Sequence, residues 1–194
     1  MRGHTTYWTL IFLLFLAIID AGCQKTGVQA GNDTSNGTPV GADSLPVWDQ
    51  DFLSNAEKAE IGQLSLSKVA LDRARGSDVQ AYAQMIVDDH TRILQQLRDL
   101  MNKKGVARPG AATEANTEGK YRLDSVAGTS AFDHEYISLM AAETEQTLGR
   151  FRQAAETADD REVRAYATAV LPVIEKERQK AAELEKTLAE PQPE

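Results

Sequence analysis

Val79-Gln80-Ala81-Tyr82-Ala83 returns at positions 163 to 167 as Val163-Arg164-Ala165-Tyr166-Ala167. The same step separates Phe52-Leu53-Ser54 from Tyr136-Ile137-Ser138, and Leu64 from Leu148. Around each copy, apolar residues recur every three or four positions, the period of a helix with one buried face. Matching helical positions repeated in register imply a duplicated helical hairpin. The expected fold is therefore all-α: four long antiparallel helices around one core.

The helix ends can be placed from local chemistry. The first helix runs from about Asp49 to Arg75, with Leu53, Ala56, Glu60, Leu64, Ser67 and Leu71 on one face. Gly76 is expected to end it in the left-handed conformation. The second opens at Ser77, whose hydroxyl can cap while Gln80 reaches back. Its stripe is Val79, Tyr82, Ala83, Ile86, His90, Ile93, Leu97 and Leu100, and it stops at Lys103-Lys104-Gly105. A loop with Pro109 and Gly110 leads to a short helix near Thr113 to Val126. The third long helix starts at Thr129 or Ser130 and ends near Thr157, burying Phe132, Tyr136, Met140, Thr144, Thr147 and Phe151. The fourth starts at Asp159 or Asp160 and carries Val163, Tyr166, Val170, Ile174, Glu177, Ala181, Leu184 and Leu188. Pro172 lies inside it and removes a backbone donor, so a kink is expected there.

The chain has 194 residues, a net charge of -8 and a pI near 5.0. No Lys/Arg-rich stretch is present, which excludes nucleic acid as an expected partner, because such binding needs cationic surface to displace counterions. Cys23 is the single cysteine, so neither an internal disulfide nor a cysteine metal site can form. Its surroundings give an address. A short basic start, Met1 to His4, precedes an apolar run from Trp8 to Ile19 and then Ala21-Gly22-Cys23. This is a secretory leader, too short for a comfortable membrane span. Small residues ahead of a cysteine resemble a bacterial lipobox, although Asp20 stands where an aliphatic residue is usual. The alternatives are an ordinary cleaved leader that delivers a soluble periplasmic or secreted protein, and a leader retained as an anchor. The expected organisation is a leader at 1–22, a flexible tether at 23–47, a bundle at 48–189 and a disordered tail at 190–194. Gly, Thr, Asn, Ser and Asp dominate Gln24 to Pro46, and such a stretch cannot offset its own ordering entropy. Acyl chains on Cys23 would attach the protein to a membrane while the bundle faces the periplasm.

Between Asp51 and about Leu188 stand Asp51-Phe52-Leu53, Ala59-Glu60-Ile61, Val79 to His90, Lys103-Lys104-Gly105, Phe132-Asp133-x-x-Tyr136 and Ala165-Tyr166-Ala167-x-x-x-Leu171-Pro172. On these residues the chain resembles the ferritin-like family known as domain of unknown function 4142. The stretch ending in Val87-Asp88-Asp89-His90 is the most specific. The resemblance implies a bacterial envelope protein, a four-helix bundle and a short extra helix in the crossover. It implies no established activity. Members commonly carry an Asp-His pair where this chain has Glu143-Thr144, and a further histidine near Glu177; both histidines are missing here.

A ferritin-like di-iron centre needs four carboxylates and two histidines, the latter in Glu-x-x-His pairs. Neither the second nor the fourth helix contains such a pair, and the adjacent Asp89 and His90 diverge by about 100° on a helix. Glu60, His90 and Glu177 nevertheless share the core-facing stripe, with Glu143 or Thr144 nearby. Two readings remain open for Glu60, His90, Glu143 and Glu177. One is a structural Glu–His hydrogen bond that offsets burial of the carboxylate; the other is a site for a single divalent metal. No cofactor is expected otherwise. Tyr82 and Tyr166 are expected to anchor packing with their hydroxyls at the bundle surface. His134 falls on the solvent side. There is no Gly-x-Ser-x-Gly and no Gly-rich phosphate loop. The expectation is a non-enzymatic binding, structural or stress-related protein whose partner is an envelope protein, a polymer or a small ligand. The competing class is a metalloprotein or oxidase.

Overall fold

The computed structural model describes residues 45–108 and 117–189; Cys23, the leader, most of the tether and the tail lie outside them. The described residues form five helices and no strand: α1 (Val47–Arg73), α2 (Ser77–Lys104), α3 (Thr117–Ser125), α4 (Phe132–Thr157) and α5 (Arg161–Ala189). The pairs α1–α2 and α4–α5 are antiparallel hairpins that pack against each other, with the short α3 laid on α4. The expected fold class holds at the level of an all-helical bundle. No described helix is long and apolar enough to cross a membrane.

The duplication governs the packing. Gln63 Nε2 donates to Thr147 Oγ1 at 3.0 Å, and these two residues are themselves 84 positions apart. Equivalent residues that touch each other mark a local two-fold axis, so α1 and α4 run antiparallel across the middle of the bundle. The helix starts obey the same axis. Asp133, in the first turn of α4, accepts from the backbone N–H of Arg75 (3.0 Å) and Gly76 (2.6 Å) just before α2. Asp49, in the first turn of α1, accepts from Asp159 (3.3 Å) and Asp160 (2.7 Å) just before α5. Each aspartate thus satisfies donors at the start of a neighbouring helix that would otherwise be orphaned.

Several local expectations need correction here. Gly76 has φ −78, so it is not left-handed; α1 ends at Arg73 with Ala74 as its C-cap, and among the described residues the left-handed glycines are Gly105 (φ 67) and Gly128 (φ 77). A different constraint acts at Gly76, where an added Cβ would meet Asp133 Oδ2 at 3.0 Å. Ser77 does not cap α2, whose N-cap Gly76 offers no side chain. Gln80 donates instead to Ala74 O at 2.7 Å. α5 has its own cap, since Asp160 Oδ1 accepts from the N–H groups of Glu162 and Val163. Pro172 sits inside α5, as its place in the sequence implied.

The apolar core comes in two parts. One collects Phe52, Leu53 and Ala56 of α1, Ile93 to Met101 of α2, Leu148 to Ala154 of α4 and Val163 to Ile174 of α5. The other collects Leu66 and Ala70, Val79 to Ile86, Leu123 of α3, Phe132 to Met140, and Ala181 with Leu184. Between them all four long helices turn polar side chains inward: Glu60 and Gln63, His90, Thr144 and Thr147, and Glu177. At the end where α1 begins, Lys104 bridges Asp160 and Glu162 at 2.7 and 3.0 Å. This sets a cation at the C-terminus of α2 and acids at the N-terminus of α5, the favourable choice for both helix dipoles.

Candidate functional site

The polar waist is the candidate site. Each residue reaches it because it occupies the inward stripe of its helix where the two halves of the core meet. His90 stands at the centre with no exposed surface. Its Nδ1 lies 2.6 Å from Glu60 Oε2 on α1, and its Nε2 lies 3.1 Å from Glu177 Oε2 on α5. Both carboxylates are also fully buried. An imidazole held between two carboxylates carries a proton on each nitrogen, and three helices are tied by one ring. Burial alone pushes the imidazole pKa down, but the Glu60 charge and hydrogen bonds to both carboxylates lift it to about 10. Burial raises the Glu177 pKa, with the neighbouring His90 opposing it.

Around this triad lie polar atoms with no partner among the described residues: Glu60 Oε1, Glu177 Oε1, Tyr82 Oη, Tyr166 Oη and Thr144 Oγ1. Tyr82 and Thr144 face one another without closing a hydrogen bond, and Tyr166 lies within the field of Glu60. The expectation of tyrosine hydroxyls at the surface is therefore wrong. The helical stripe gives the ring direction but not the depth at which a long phenol ends. Burial pushes the Tyr82, Tyr136 and Tyr166 phenols above their ordinary range. Tyr136 is secured by Ser67, 2.9 Å from its hydroxyl.

Of the sequence-derived site residues, Glu60, His90 and Glu177 are brought together. Glu143 is only partly buried, and its neighbour Thr144 turns the fully buried side chain into the waist. Asp89 pairs with Arg92, and His134 is exposed. Among the described residues, no three His, Cys, Asp or Glu side chains are placed to hold a metal ion. Sequence reasoning missed Gln63 and the buried phenols. Gln63 was within reach, because its partner in the duplicated half, Thr147, was already on the buried stripe.

Residues 36–184 match the family model described as a domain of unknown function, DUF4142. The chain belongs to the DUF4142 family. No curated protein matches it. Among solved structures it is similar to the crystal structure of a DUF305 fragment from Deinococcus radiodurans, with a TM-score of 0.61 and 14% sequence identity. That likeness covers 75% of this chain and 98% of the fragment, and it establishes the helical fold alone. In this DUF4142 chain the waist can hold protons and link helices. Its histidine has no free lone pair with which to bind a metal while both carboxylates keep their contacts.

Proposed function

We propose that this DUF4142 chain is a bacterial envelope lipoprotein with a ferritin-like four-helix bundle facing the periplasm, anchored through Cys23 and acting by binding rather than catalysis. The observation that carries the non-enzymatic part is the closed state of the waist. His90, the buried imidazole at the centre of the waist, has both nitrogens engaged by carboxylates. With both ring nitrogens engaged, the imidazole presents neither a free lone pair nor a free N–H to a substrate. The leader and the tether composition support the address.

A second reading, a divalent metal in a degenerate ferritin-like site, is favoured by the unpartnered oxygens of Glu60 and Glu177. A cation that took His90 as a ligand would have to displace at least one of its carboxylate contacts. Growing cells with a clickable fatty acid tests the first reading: wild-type protein should be labelled and Cys23→Ala should not. An unlabelled wild type in the soluble periplasm would overturn the anchor. Stoichiometric iron, manganese or zinc in protein purified without a histidine tag, lost in His90→Ala, would favour the metalloprotein.

A further inference from the structure

The two-fold relation predicts what should cover each end of the face between α1 and α4. At the end near the start of α4, α3 covers it. Leu123 is fully buried there against the core that contains Leu66, Phe132 and Leu139. Its neighbours make flanking ion pairs: Arg122 with Glu135 at 2.6 Å, and Asp124 with Arg73 at 2.7 Å. At the opposite end the same face is an open groove of about 180 Å³, whose walls include Trp48, Asp51, Phe52, Asn55, Arg150 and Phe151.

Adding the repeat step pairs these groups with residues at the α3 end of the bundle. Trp48 stands for Phe132, Asp51 for Glu135, Asn55 for Leu139 and Arg150 for Leu66. Phe132, in the core cluster that holds Leu123 of α3, is 1% exposed, whereas Trp48 is 39% exposed with its ring stacked parallel on Phe52. Asp51 and Arg150 are exposed and make no ion pair with the described residues, while most basic side chains of the bundle are paired.

We infer that this groove is the docking site for a short amphipathic helix of a partner protein, bound as α3 is bound at the other end. Its occupant carries an apolar residue for the Trp48–Phe52–Phe151 floor, a basic residue for Asp51 and an acidic residue for Arg150. α3 itself supplies the basic and apolar members in Arg122-Leu123; its Asp124 pairs with Arg73, whose equivalent is Thr157, so the acid for Arg150 is a feature of the occupant alone. The two leucines of the covered end become Asn55 and Arg150 here, so the occupant is more polar at its edge than α3. Helix-in-groove recognition of this kind draws its specificity from charges around an apolar anchor. The inference supplies the partner class that the binding reading leaves open. It stands on the bundle's own duplication, so acylation of Cys23 can fail while groove binding holds.

The probe is a fluorescein-labelled peptide of residues 117–127, followed by anisotropy on the purified protein. So short a peptide is barely helical alone, so saturable binding is expected only at high micromolar to about millimolar concentration. Asp51→Lys should weaken it about five-fold or more. The peptide with Arg122→Glu should bind Asp51→Lys better than wild type, which locates it in this groove rather than under native α3. Trp8 lies in the leader, so in leader-free protein Trp48 is the single indole. Its emission should shift blue on binding. Absence of saturable binding, or binding indifferent to Asp51→Lys, overturns the inference. So does an indole that is already blue and insensitive to peptide, which means the groove is filled within the molecule. A shift produced instead by phosphatidylethanolamine–phosphatidylglycerol vesicles assigns the face to lipid. A dimer that dissociates in Asp51→Lys assigns it to a second copy.

Discussion

His90 links three helices through two hydrogen bonds, so its removal should do more than delete contacts. With the ring gone, Glu60 and Glu177 both keep a buried oxygen without a donor. Each stranded acceptor costs about 1–3 kcal/mol, more when it is charged. Replacing both partners with neutral or apolar groups removes the charge along with the contact, and buried ion pairs often tolerate that exchange. A double-mutant cycle of Glu60→Gln and His90→Leu, followed by thermal unfolding at neutral pH, should therefore be strongly non-additive. The double variant should be more stable than the sum of the single losses implies, by roughly 1 kcal/mol or more. Additivity within a few tenths would mean that the 2.6 Å contact between Glu60 and His90 carries no coupling.

The two capping aspartates are related by the duplication but not equal in consequence. α5 keeps a cap of its own through Asp160, whereas α2 has Gly76 as its N-cap and leans on Asp133. Losing a cap costs about 0.5–2 kcal/mol. Asp133→Ala should fall toward the upper end of that range and Asp49→Ala toward the lower, as measured by urea unfolding. Equal losses would show that Asp160 does not protect α5. These capping contacts also mark where sequence reading stopped. Helix positions were legible because apolar spacing is a local property, and the inward placing of Glu60, His90 and Glu177 followed from it. The Asp133 bond to Gly76 joins residues far apart in the chain, so Gly76 looked like a helix terminator when its constraint is a carboxylate pressed close. The depth of the tyrosine hydroxyls was hidden for a similar reason: it depends on how closely the hairpins approach, which no single helix encodes.

For the whole molecule, the protonated waist sets a direction of pH dependence. The folded His90 pKa of about 10 lies above the ordinary 6.5. The folded state thus keeps a proton that the unfolded chain releases. The stability this provides is complete below about pH 6.5 and is lost as pH rises through 10. Glu177, also raised, acts in the same sense from a lower starting point. Asp124, Asp160 and Glu162 have lowered values and act oppositely, losing stability as pH falls, but they are exposed or partly exposed and screened by solvent. Between pH 7 and pH 9 the histidine dominates, with unfolding releasing about one proton and stability falling by up to about 1.4 kcal/mol per pH unit. Chemical unfolding across that window should show the slope in the wild type and a flatter one in His90→Gln, which has no proton to lose there. Parallel slopes would place the alkaline sensitivity elsewhere.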